Sequence, residues 1–206
     1  MDRLYFIKLL DELQKIMAEN REYLIDLDRV VGDGDLGLTM SDGFLAAYLA
    51  VKDSPETDIG KMLYAAGKAM STAVPSTMGT LMASGLMQTG KVLKGQTEIE
   101  REDIATFFMA YEEGVMTRGK AKVGEKTFLD GLDPAVEEMK ASFAAGDTLS
   151  VVAEKAVNAA QQGYENTATM LAVHGRAATR GEASRSLKDP GAAVALLMMR
   201  AFQRTV

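Results

Sequence analysis

The sequence predicts an all-α protein, and three observations carry that reading. Apolar residues recur at three- and four-residue spacing through most of the 206 residues. No segment shows the two-residue alternation or the β-branched enrichment of a strand. All four prolines stand at the edges of helical patterns, where a missing N–H breaks no helical bond.

Taken in order, Leu4, Ile7, Leu10, Leu13 and Met17 define one face of a first helix. A second, shorter helix is expected from Arg21 to Val30, with Asp28 in its last turn, and a third from Leu38 to Lys52. Pro55 and Glu56 suit the first turn of a fourth, which continues through Met62, Ala65, Ala66 and Met70. Ser71 to Thr80 mixes hydroxyl residues with Pro75 and Gly79, as in a loop feeding a helix N-terminus, and a fifth helix is expected from Leu81 to Leu93. A sixth runs from Arg101 to Met116, Asp133-Pro134 opens a seventh that reaches Ala145, and Thr148 caps an alanine-rich eighth to Leu171. Lys188-Asp189-Pro190-Gly191 then opens a strongly apolar last helix. No repeat or linker divides the chain, so residues 1–206 read as one domain of eight or nine helices.

Composition narrows the function. With 23 basic and 29 acidic residues the net charge is −6, which argues against nucleic acid or an anionic membrane as the main partner. The absence of cysteine excludes disulfides, thiolate metal sites and cysteine nucleophiles. Ala192 to Met199, the longest apolar run, is too short to span a bilayer, and the first residues lack the plan of a signal peptide, so a cytoplasmic location is expected.

The chemistry concentrates in Asp28-Arg29-Val30-Val31-Gly32-Asp33-Gly34-Asp35-Leu36-Gly37-Leu38-Thr39, which sets three carboxylates and three glycines between two helical segments. Carboxylates are the hard oxygen ligands Mg²⁺ prefers, and Gly lets a backbone fold closely round an ion or anion. Asp28, Asp33 and Asp35 are therefore candidate metal ligands, with the next helix's N-terminus aimed at phosphate. A calcium loop counted from Asp33 fails, because Phe44 stands where a bidentate Glu is required. Gly85 to Lys91 imitates a P-loop, but Val92 replaces the hydroxyl residue and no strand precedes it, so it reads as plain helix. Arg118 to Thr127 is a basic, glycine-containing connection able to hold phosphate. The single histidine, His174, reads as a surface or capping residue, and the lack of a second histidine and of any cysteine argues against a triad or a histidine metal cluster.

These motifs together resemble the nucleotide-binding L subunit of bacterial dihydroxyacetone kinase. The likeness rests on Leu27-Asp28-Arg29, Gly32-Asp33-Gly34-Asp35 with Gly37, Arg118-Gly119-Lys120-Ala121, Gly124 with Lys126-Thr127, Gly175-Arg176-Ala177 and Asp189-Pro190-Gly191. It implies an antiparallel barrel of about eight helices, with ADP or ATP bound at one end through two Mg²⁺ ions held by Asp28, Asp33 and Asp35. By the same resemblance Leu36, Gly37, Leu38, Thr39, Thr77, Met78 and Gly79 border the phosphates. Gly119, Thr127, Arg176, Asp189, Pro190 and Gly191 border the rest of the nucleotide, and Phe128 is a candidate apolar wall for adenine. The chain departs from the family pattern at Leu36 and Thr39, where His and Asn are usual, and at Pro75-Ser76-Thr77-Met78-Gly79, where the family has a glycine-rich phosphate loop.

The implied role is to supply a phosphoryl group to a small ketose held covalently on a separate K subunit. In one branch of the family ADP stays bound and a phosphotransferase M subunit recharges it; in the other ATP exchanges. Alternatives are a tetrulose as substrate, a fatty acid kinase module, and a degenerate subunit that regulates a transcription factor.

Overall fold

The computed structural model describes residues Met1 to Val206. Nine α-helices form: α1 (Arg3–Glu19), α2 (Arg21–Val31), α3 (Leu36–Leu49), α4 (Ile59–Ala73), α5 (Thr77–Val92), α6 (Ile104–Gly119), α7 (Phe128–Ala144), α8 (Leu149–Asn166) and α9 (Pro190–Thr205). Short 3₁₀ segments occur at Arg101–Asp103, Thr167–Thr169 and Arg176–Ser184. The all-α expectation holds, since the one β-type pairing is an isolated bridge between Asp2 and Glu98.

Each of α1, α3, α4, α5, α6, α7, α8 and α9 packs on the next, and α9 returns to α1, closing a circuit of eight helices. The short α2 lies outside the circuit against α3 and α9. Because three residues join α4 to α5, those neighbours reverse direction, and the same alternation brings the first residues of α3, α5, α7 and α9 to one end. One cluster of 51 buried side chains fills the interior. A row of rings threads it: Phe6 stacks on Phe107 at 5.5 Å, Phe107 on Tyr111 at 6.5 Å, and Tyr111 meets Phe128 at 6.2 Å. Close helix crossings depend on glycine; a Cβ on Gly60 of α4 would lie 2.4 Å from the Gly90 carbonyl oxygen of α5. No helix is long and apolar enough to cross a membrane.

Several boundaries differ from the sequence reading, each through a cap. α3 starts at Leu36 rather than Leu38, and α5 starts at Thr77 rather than Leu81 because the Ser76 hydroxyl accepts the Gly79 N–H at 3.0 Å. α7 starts at Phe128, not Asp133: the Thr127 hydroxyl accepts the Leu129 N–H while the Asp130 carboxylate accepts the Thr127 N–H at 2.7 Å, a reciprocal cap. Pro134 consequently lies inside α7 and leaves the Asp130 carbonyl without its helical donor; Gly163 of α8 packs there, where a Cβ would come within 2.3 Å of that oxygen. Pro55 precedes α4 by four residues instead of opening it, since Asp58 is the cap and accepts the Lys61 N–H at 3.0 Å. α8 ends at Asn166, short of Leu171, and the chain continues as an irregular strap toward α9.

On the barrel flank Glu112 of α6 faces Asp133 of α7, and the buried Glu112 Oε1 has no hydrogen-bond partner, which favours the neutral acid. Burial pushes the Glu112 carboxyl up to about 7, Asp133 and Glu137 add to the shift, and Lys140 opposes it. Since the folded-state pKa is raised, stability is greatest below the unfolded value and is lost as pH rises through about 7. Thermal unfolding should therefore show wild type weakening between pH 5 and 8 by roughly 1 kcal/mol, reduced by the solvent that reaches the pair, whereas Glu112→Gln, a permanent donor, loses that dependence. An unchanged pH profile in Glu112→Gln would refute the raised Glu112 carboxyl.

Candidate functional site

The end of the barrel where α3, α5, α7 and α9 begin opens into a cleft of about 860 Å³. Its walls include Asp28, Asp33, Asp35, Leu36, Thr77, Met78, Gly119, Thr127, Phe128, Arg176, Asp189, Pro190 and Gly191, so residues far apart in the chain meet at one place. Of the other residues expected at the site, Gly37, Leu38, Thr39 and Gly79 do not line it. They sit one residue or more inside helices that begin earlier than the sequence suggests. Gly37 lets α2 cross α3, since a Cβ there would stand 2.1 Å from the Arg21 carbonyl oxygen. Leu38 points to solvent, Thr39 is buried, and Gly79 lies under the Val74 carbonyl. These four stand next to the lining residues rather than among them.

The acidic loop is built around Asp28. Its Oδ2 accepts N–H bonds from Gly34 at 2.9 Å, Asp35 at 3.1 Å and Leu36 at 3.4 Å, so the chain wraps over one carboxylate oxygen. Gly34 turns the backbone through φ 76°, and a Cβ on Gly32 would fall 2.3 Å from Asp28 Oδ1. The wrap brings oxygens of Asp28, Asp33 and Asp35 within 4.8 Å of one another. Asp33 and Asp35 are exposed and Asp28 is half-buried. Burial and then the charges of Asp33 and Asp28 raise the Asp35 carboxyl above its ordinary range, while Arg176 opposes the shift. Arg176 reaches Asp33 at 2.6 Å and supplies part of the missing positive charge. Three hard oxygen donors held together against their own repulsion fit a divalent cation such as Mg²⁺.

Beside the loop, the Thr77 and Met78 amides at the start of α5 have no acceptor in the chain. They therefore form an anion-binding helix end on the wall next to the carboxylates. The P-loop-like Gly85 to Lys91 lies wholly within α5, as plain helix. Asp189 is buried, caps α9 by accepting the Ala192 N–H at 2.8 Å, and is pushed up to about 7 by burial. Phe128 lines the cleft and is 2% exposed, with its ring held against Tyr111. Leu81 and Val115 add apolar lining that no motif marked, beside Ala121 of the Arg118–Ala121 motif. His174 also lines the cleft and pairs with Glu125 at 2.5 Å. Lys126, marked in the sequence by its basic stretch and by the Lys126-Thr127 motif, turns its ammonium inward, and the residue is 3% exposed.

A helical barrel with a carboxylate loop and an open helix end at one mouth defines a domain suited to holding a metal–phosphate ligand. The chain belongs to the DAK2 domain family, whose pattern matches residues 30–204. It is 30% identical over 200 residues to the ADP-binding subunit DhaL of a PEP-dependent dihydroxyacetone kinase from Escherichia coli, covering 97% of this chain and 95% of that one. It is 31% identical to an L-erythrulose 1-kinase of Mycolicibacterium smegmatis, covering 95% of this chain but 34% of that longer protein. The crystal structure of the dihydroxyacetone kinase from C. freundii, in complex with AMP-PNP and Mg²⁺, shares the fold with a TM-score of 0.72 at 21% identity, over 97% of this chain and 33% of that one.

Proposed function

We propose that this chain is the nucleotide- and Mg²⁺-binding subunit of a dihydroxyacetone-type kinase, delivering a phosphoryl group to a small ketose held on a separate K subunit. The observation that carries the reading is the convergence of Asp28, Asp33 and Asp35 within 4.8 Å, on the cleft that also receives the open amides of α5. The family and the DhaL relative support it along the length of the chain.

Asp28, Asp33 and Asp35 would hold the metal, and we propose two ions there. When bound, Mg²⁺ supplies positive charge that offsets the charge of the phosphoryl oxygens during in-line transfer. The Thr77 and Met78 amides donate to phosphate oxygens, and Arg176 moves its guanidinium between Asp33 and the phosphates. Leu81, Val115 and Ala121 exclude water from the base side. No side chain of the cleft acts as a covalent nucleophile in this reading; the protein positions the donor and leaves its terminal phosphate facing the mouth.

The PEP dependence of the Escherichia coli relative favours ADP as a resident group recharged by a phosphotransferase M subunit, with ATP exchange as the other route. The L-erythrulose kinase relative keeps a tetrulose open as the acceptor. The regulatory alternative drew on Leu36 and Pro75, yet Leu36 contributes its amide to the Asp28 wrap and Pro75 sits ahead of the α5 cap, so neither removes a carboxylate or an open amide. A cytoplasmic location fits these partners. The test is reconstitution with a K subunit and either dihydroxyacetone or erythrulose, supplying ATP in one arm and PEP with the phosphotransferase proteins in the other. Ketose phosphate in either arm supports the proposal; none in both, from protein that binds nucleotide, would overturn it.

A further inference from the structure

We propose that Lys126 is a positioning residue whose buried ammonium fixes the strap from Thr167 to Leu187 against the cleft and so sets Arg176 over the acidic loop. Lys126 lies between α6 and α7 with φ 60°, a left-handed backbone unusual for a residue with a side chain. Its Nζ donates to the carbonyls of Thr167 at 2.7 Å, Ser184 at 2.7 Å, Leu187 at 2.5 Å and Met170 at 3.3 Å. No carboxylate lies within ion-pair distance, so its hydrogen bonds all go to backbone carbonyls, with the buried Asp189 adding a favourable charge from further off. All four acceptors belong to one segment, from both of its ends, and a single cation therefore gathers the strap into a loop.

The strap needs such a pin. Between α8 and α9 it holds only 3₁₀ turns and irregular backbone, and few of its side chains are buried. Beyond the short 3₁₀ turns its internal bonds are few: the Ser186 N–H donates to the Ala168 carbonyl at 2.8 Å, the Ala172 N–H to the Ser184 hydroxyl at 3.0 Å, and the exposed Arg185 guanidinium to the Thr169 carbonyl at 2.7 Å. Yet it supplies His174, Gly175, Arg176 and Ala177 to the cleft. A second tether starts from the residue next to Lys126, where the Glu125 carboxylate meets His174 at 2.5 Å and the Glu125 carbonyl accepts the Val173 N–H. Lys126 and Glu125 thus couple the start of α7 to the placement of Arg176. Ordered carbonyls round a cation are a built site, and Arg176, 67% exposed, has no other fixed support than Asp33.

The test compares wild type with Lys126→Met by amide hydrogen exchange and by Mg²⁺-ADP titration. Exchange should accelerate at Ala172, Val173 and Ser186 while α4 and α5 amides keep their rates, and nucleotide affinity should fall by about tenfold or more, the usual effect of losing an outer support. Unchanged strap exchange, or acceleration spread evenly over all helices, would overturn the proposal. The affinity arm rests on the nucleotide reading above, whereas the exchange arm does not; a wild type that binds no nucleotide refutes that reading and leaves the exchange result to decide this one. If Lys126→Met does not fold, Lys126→Gly relieves the left-handed backbone, and added n-butylammonium should restore slow strap exchange by refilling the carbonyl-lined space. Failure of the amine to slow exchange in Lys126→Gly would count against an ammonium pin.

Discussion

Asp33→Asn and Asp35→Asn are each expected to cut phosphoryl transfer by on the order of a thousandfold while leaving helical content unchanged, because charge stabilisation at a metal–phosphate centre is worth several kcal/mol. Both side chains are exposed at the mouth, and neither anchors the loop. Asp33 contacts Arg176, and Asp35 gives the wrap its amide rather than its carboxylate. Asn keeps the size and removes the charge, so the metal-free protein loses little and the Asp28–Asp33–Asp35 repulsion falls. Transfer assays with the K subunit, paired with circular dichroism, check this. A fully active double variant would sink the metal assignment.

Asp28→Ala should be as inactive as those variants and should differ from them in structure. Asp28 is both a candidate ligand and the acceptor for three successive loop amides, so Ala removes the wrap along with the charge. Each hydrogen bond to a charged group contributes about 1.5–3 kcal/mol, and solvent access at this half-buried carboxylate places the net loss nearer 1–2 kcal/mol. Amide exchange at Gly34, Asp35 and Leu36 should accelerate in Asp28→Ala and stay slow in Asp33→Asn. Asp28→Asn retains an acceptor oxygen, so it should recover the slow exchange without recovering transfer. Equal exchange in Asp28→Ala and wild type would show that the loop is held by something other than Asp28.

The site was legible in the sequence where its chemistry is local. Three aspartates and three glycines in twelve residues declare a folded acidic loop whatever surrounds it, and Asp189-Pro190 announces a capped helix. The helix starts were less legible, because caps at Ser76 and Thr127 draw ordinary-looking residues into first turns. That shift put Gly37, Leu38, Thr39 and Gly79 inside helices. Phe128, placed by its neighbour Thr127, does line the cleft, but that it also ends the aromatic row through Tyr111 could not be read from the sequence. Lys126 stood in a motif, but its role was hidden for a different reason. Its role depends on carbonyls of residues 167–187, and backbone acceptors leave no mark in a sequence. The resemblance to the dihydroxyacetone kinase L subunit supplied the barrel, which periodicity alone does not give, since helical patterns say which face is buried and not how helices close into a ring.

The central claim is that the cleft holds a nucleotide through the acidic loop, and native mass spectrometry with phosphorus NMR on freshly purified protein in Mg²⁺ tests it most directly. The account predicts a bound nucleotide of ADP mass, or an empty protein that takes up ATP or ADP on addition, in either case released by chelator and absent from Asp35→Asn. A protein that binds neither nucleotide in Mg²⁺, or binds equally well after chelation and in Asp35→Asn, would contradict it.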